Sequence, residues 1–251
     1  MLNYPILFFP LSLFVLWLSA RVGTLLRSRW PLTGEEREDF GFVQAAALTL
    51  LSLIIGFSFS MAIVRYDQRR NYEAAEANAI GTEYVRAGLL PLSDAARVRA
   101  QLAKYLDLRV SFYRTHNQPE LQRINADAGQ LQAEMWSSVQ TPALAQPTPV
   151  LALAVAGMND VLNSQGYTQA AWWNRIPTAA WGLMIAIAIC CNVQVGYAAR
   201  SARVKNTVLL ILPLFVSIAF LLIADIDSPR GGLIHVLPQN LLSLSQSLPK
   251  Q

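Results

Sequence analysis

The chain has 251 residues, of which 53% are hydrophobic and 14% charged, with 20 basic and 16 acidic side chains and a formal net charge of +4. Soluble domains carry about 25% charged residues, so the composition points to a bilayer, and a charge of +4 does not by itself call for nucleic acid. Two cysteines, Cys190 and Cys191, exclude a disulfide framework; as helical neighbours they point about 100° apart and pack rather than pair.

Charge-free runs fall at 1–20, 40–64, 176–199 and 206–224. Each is long enough to cross a hydrocarbon core of roughly 30 Å as a helix. A fifth run, 135–159, is disqualified by Pro142, Pro147 and Pro149 and by its short apolar centre. The first run has neither a basic n-region nor an A-x-A cleavage site and reads as a retained helix. The expected fold is all-α: four transmembrane helices with a polar helical insert between the second and third.

In chain order, span one covers about 5–23, with Pro5 and Pro10 near its start, and span two covers about 42–64. Together with their polar connector they make a first transmembrane pair, 1–64. An extramembrane insert follows over 65–175, then a transmembrane hairpin, 176–224, and a C-terminal tail, 225–251. Within the insert, the Ala-, Glu- and Arg-rich stretch from Tyr66 to Leu89 predicts a helix ended by Pro91. Ser93 reads as the N-cap of a second helix reaching Arg114, with Val98, Leu102, Leu106 and Val110 at helical spacing. A third starts near Pro119 and carries the stripe Leu121, Ile124, Ala128, Leu131, Met135 and Val139. A loop over 141–149 leads to a fourth helix over roughly 150–164. The stripes fit packing within the insert or against neighbouring copies.

Basic residues near the spans divide seven against six between the two sides, so the positive-inside rule decides little. The purely basic hairpin loop (Arg200, Arg203, Lys205) and the uncharged N-terminus tilt the reading towards termini and insert outside.

No catalytic constellation is visible. His116 and His235 stand far apart in sequence, and no H-x-x-x-H, C-x-x-C, G-x-S-x-G or phosphate-loop pattern occurs. The expectation is a non-enzyme without a metal or other cofactor, and Gly231–Gly232 beside Pro229 reads as a turn. Span two is more informative. Thr49, Ser52, Leu53, Gly56, Phe57 and Ser60 share one helical face about 140° wide. Such a face serves close helix packing through Ser52-xxx-Gly56-xxx-Ser60, or it lines a pore with Leu53 and Phe57 as an apolar constriction. Beyond it, Arg65, Tyr66, Arg69, Arg70 and Glu73 suit either interfacial anchoring or a pore mouth. After span four, Asp225 and Asp227 suit either capping and ion pairing or, in a symmetric oligomer, a ring of acids.

These motifs together resemble the bestrophins. Gly56-Phe57 followed by Tyr66, Arg69 and Glu73, the Arg175-Ile176-Pro177 start of span three with distal Tyr197, and Asp225, Asp227, Pro229 and Gly232 after span four all have counterparts there. Phe57 to Leu90, Asn159-Asp160 and Asp225 to Leu242 are most similar to the bacterial proteins called bestrophin-like, which have no assigned function. The resemblance implies a pentameric homo-oligomer in a lipid bilayer, conducting inorganic ions past Thr49, Leu53 and Phe57 on a hydrophobic neck. It also implies a multi-pass protein of the bacterial inner membrane that binds no nucleic acid. The acidic calcium clasp of animal members is incomplete. The competing expectation is a non-conducting scaffold or sensor whose insert binds a protein or lipid partner.

Overall fold

The computed structural model describes residues 5–199 and 206–249, and among these it is helical throughout, without strands. The hairpin-loop bases Arg200, Arg203 and Lys205, and Lys250 near the end of the tail, lie outside the described residues. The helices are α1 (Pro5–Arg29), α2 (Gly34–Arg86), α3 (Leu92–Arg114), α4 (Gln118–Ala145), α5 (Pro149–Trp173), α6 (Thr178–Ala198), α7 (Asn206–Asp227) and α8 (Gln239–Ser247), with a 3-10 turn over Ala87–Leu89. Four helices are long and apolar enough to cross a membrane.

The chain forms two compact units. One holds Met1–Tyr66 and Arg175–His235; the other holds Asp67–Asn174 and Val236–Gln251.

The first unit packs α1 against α6 and α7, with the apolar part of α2 joining the same core. Lipid tails are as apolar as leucine, so membrane helices gain little from hydrophobicity when they meet and rely on close backbone approach. Here α1 meets α6 at Gly23 and Gly196. A Cβ on Gly23 would run into the Val193 carbonyl, and one on Gly196 into the Ala20 carbonyl. Around this crossing Leu16, Trp181, Met184, Phe220 and Ile223 fill the interior. Phe8 stands edge-on to Trp181, with ring centres 5.5 Å apart.

The second unit follows ordinary aqueous packing. Val98, Leu102, Leu106 and Val110 of α3 are buried, as are Ile124, Ala128, Leu131, Met135 and Val139 of α4, while Leu121 is half-buried. The stripes therefore face inward within this unit. Met158 and Val161 of α5 complete the interior.

Several element ends differ from expectation. Span two and the first insert helix are one continuous 53-residue helix. No proline interrupts it, so the i to i−4 ladder continues where the side chains turn polar. Its start carries half of a capping box, because the Glu36 carboxylate accepts from the Thr33 backbone N–H at 2.8 Å. Helix α3 begins at Leu92, not after Ser93: Pro91, at φ −50° and ψ 146°, takes the N-cap position, and its carbonyl accepts from Ala95 N–H. Pro142 lies inside α4, so the loop before α5 is shorter than 141–149. Helix α5 starts at Pro149, is capped by the Thr148 hydroxyl accepting from Leu151 N–H, and continues to Trp173. Helix α8, in the tail, was not expected.

Candidate functional site

The candidate face on α2 lies in the first unit. Leu51, Ser58 and Ala62 are buried on one side of the helix, and Thr49, Ser52, Leu53, Gly56, Phe57 and Ser60 are all exposed. Phe57 is 63% and Leu53 51% exposed, and nothing beyond its own helix backbone and chain neighbours lies within 4 Å of where a Gly56 Cβ would stand. The hydroxyls of Thr49 and Ser52 are turned back on their own helix, donating to the Ala45 and Leu48 carbonyls at 2.9 Å each. That arrangement satisfies both hydroxyls without a partner helix and leaves an outward surface of methyls, methylenes and one phenyl ring. Ser52 and Gly56, at one edge of the face, border an apolar groove shared with Leu212, Phe215 and Ala219 of α7, while a close glycine crossing in this unit lies between α1 and α6.

The polar residues that follow on α2 divide between the two units. In the first, the Arg65 guanidinium donates to the Met61 carbonyl at 3.4 Å, and Tyr66 packs on the apolar core. In the second, Arg70 is exposed, whereas Arg69 and Glu73 are buried one turn apart. Glu73 caps α8: its carboxylate accepts from the backbone N–H groups of Asn240 and Leu241 at 2.9 and 3.0 Å and from the Asn240 amide at 2.6 Å. Four N-terminal amides of any helix lack internal partners, and a carboxylate there also meets the positive end of the helix dipole.

Asp225 and Asp227 are both buried in the first unit, and backbone donors hold them. Both Asp227 oxygens lie 3.1 Å from the Ile176 N–H, which joins the Arg-Ile-Pro entry to α6 with the end of α7. Asp225 accepts from Leu233 and Ile234 N–H at 2.8 Å each. The chain folds back over Asp225 at Gly232, where φ is +127° and any Cβ would collide with the carboxylate. Gly231–Gly232 is thus a turn closed on an acid, with the Gly231 N–H also donating to the Ser228 hydroxyl.

The reading from sequence missed a buried polar network in the second unit. Glu76 is inaccessible and pairs with the equally buried Arg109 of α3, while also accepting from the Tyr113 hydroxyl at 3.3 Å and the Thr168 hydroxyl of α5 at 3.2 Å. Burial alone would lower the Arg109 pKa, but the Glu76 carboxylate beside it, together with Tyr105 and Tyr113, more than offsets that and holds the guanidinium charged. Burial, with Glu76 adding to it, pushes the Tyr113 phenol well above its usual range, so it acts as a donor. One carboxylate in this way ties three helices together. The available signal was Glu73 and Glu76 at helical spacing on one face of α2, beside Ala77 and Ile80.

Among the described residues no group of three or more His, Cys, Asp or Glu side chains is placed to hold a metal ion. Cys190 is exposed and Cys191 buried, and neither is bonded.

The fold has counterparts among solved structures. A bacterial bestrophin homologue from Klebsiella pneumoniae matches with a TM-score of 0.62 and 14% identity, covering 94% of this chain and 99% of the homologue. Two point variants of that homologue match at TM-scores of 0.64 and 0.60, both at 14% identity, covering 95% and 93% of this chain and 97% and 98% of theirs. At such identity the likeness concerns the fold. No curated protein is similar enough to count as a match. The family model of the bestrophin-like domain matches residues 6–241, nearly the whole chain. With four helices long and apolar enough to cross a membrane and this family match, the all-helical membrane protein belongs to the bestrophin-like family.

Proposed function

We propose that the protein is an ion channel of the bacterial inner membrane, in which several copies surround a pore lined by the Thr49, Leu53 and Phe57 face of α2. The observation that carries this reading is the exposure of all six residues of that face. An exposed, largely apolar helix face whose Thr49 and Ser52 hydroxyls are bonded to their own helix suits a constriction that wets and dries around passing ions. Family membership supports a homo-oligomer, and a pentamer is the assembly we expect. Asp225, Asp227 and Glu73 then act as fasteners of backbone, which leaves Arg65 and Arg70 as the candidates for the pore mouth.

Ion flux from liposomes holding the purified protein tests the proposal, with Phe57→Ala beside wild type. Removing the phenyl ring widens an apolar neck, so flux rises in the variant. Absence of flux from both proteins, shown to be folded and oligomeric, overturns the channel reading in favour of a non-conducting scaffold.

A further inference from the structure

The second unit contains an acid that neither the fold nor the proposed pore uses. Glu83 lies near the end of α2, about five turns beyond the apolar segment that ends at Val64, and is fully buried. Neither of its carboxylate oxygens has a hydrogen-bond partner. Glu76 and Glu73, on the same helix, are surrounded by donors. A buried carboxylate without donors loses its hydration for nothing in return, whereas the neutral acid tolerates the site.

The surroundings of Glu83 are built for a close fit. Its Oε2 is pressed against Gly157 of α5, in the space a Cβ would need, and Arg86 Nη1 lies 2.8 Å from that same point. Arg86 is therefore within reach of Glu83, yet its ion pair runs to Asp160, one turn further along α5, at 4.0 Å. The other charged groups at this end of the unit are engaged elsewhere. Arg99 of α3 donates to the Tyr84 carbonyl at 3.1 Å and stacks over the Tyr84 ring, and Arg97 pairs with Asp94. Burial pushes the Glu83 pKa up to about 8, with Arg86 opposing the rise and Asp160 adding to it.

We propose that Glu83 is a proton-operated latch between α2 and α5. Protonated, it lets α5 lie on α2 at Gly157 with Arg86 held by Asp160; on losing its proton to solvent it takes Arg86 from Asp160, and the crossing loosens. The sign follows from the folded pKa lying above that of the freely exposed acid. The closed crossing binds one proton more than the open one between the ordinary carboxylic-acid value of 4.5 and about 8, so it is firm below that window and weakens as pH rises through it.

The test uses the full chain in lipid nanodiscs and does not depend on conduction. In infrared difference spectra, the C=O stretch of a protonated carboxylic acid persists at neutral pH, is lost with a midpoint at or slightly below about 8, and is missing in Glu83→Gln. Hydrogen exchange in Pro149–Trp173, corrected for the intrinsic rate, rises by up to about tenfold per pH unit inside the window and levels off above it. In Glu83→Gln that rise is gone. Asp160→Asn keeps the carboxyl but frees Arg86, so its infrared midpoint moves to lower pH; this readout stands even if Glu83→Gln folds poorly. A wild-type band already lost near pH 5, an α5 exchange profile that is the same in Glu83→Gln, or a midpoint unmoved by Asp160→Asn overturns the proposal.

Discussion

Single residues fix the close contacts in both units, by different physics in each. Gly196 matters because there is no room beside it: the Ala20 carbonyl occupies the place of a side chain. Gly196→Val is expected to lower stability by about 1–3 kcal/mol, the usual cost of overpacking. Gly182→Ala on the same helix, with nothing within 4 Å, is expected to change it by less than about 0.5 kcal/mol. Denaturant unfolding in mild detergent, followed by tryptophan fluorescence, separates the two. In the second unit Arg109 matters because of charge. Arg109→Ala strands the Glu76 carboxylate in the interior and is expected to cost about 3–5 kcal/mol, while replacing both partners with apolar residues recovers much of it. A double-mutant cycle in the same assay reads the coupling, and a loss under about 1 kcal/mol in Arg109→Ala would show that Glu76 is satisfied without its guanidinium.

Among elements, α2 and α8 show how local chemistry and distant residues share control. The length of α2 is a local matter: no proline intervenes, so the change from apolar to polar side chains leaves the backbone ladder unaffected. The nine-residue α8 is different, because isolated helices shorter than about 12–15 residues are marginal in water. It persists through Glu73, which takes the first amides, and through Leu244, whose methyl carbon lies 3.1 Å from where a Gly81 Cβ would stand. Glu73→Ala is expected to release α8, with hydrogen exchange over Gln239–Ser247 rising about fivefold or more, the equivalent of about 1 kcal/mol for a lost cap. Unchanged protection in that segment would mean that packing alone holds the helix.

At the scale of the whole molecule, four apolar runs and the amphipathic stripes of α3 and α4 were legible in the sequence, because hydrophobic length and period 3.6 are properties of consecutive residues. The resemblance of Gly56-Phe57, Arg175-Ile176-Pro177 and the Asp225–Gly232 turn to bestrophin motifs was legible for the same reason. Their purpose was not. A pair of aspartates two residues apart suits capping or an ion ring, and the Ile176, Leu233 and Ile234 N–H groups that they accept from are not announced by any local pattern. Likewise Ser52-xxx-Gly56-xxx-Ser60 has the spacing of a packing motif, yet the intimate crossing is made by Gly23 and Gly196, which lie in separate helices and share no sequence signal. Sequence by itself therefore determined the long helices, their membrane character and the family resemblance, but not α8. Tertiary structure decided which small faces close on a neighbour and which carboxylates find donors, and it left the buried Glu83 without one. The physical reason is that burial and hydrogen-bond satisfaction depend on groups brought together from distant parts of the chain, which no local pattern of residues specifies.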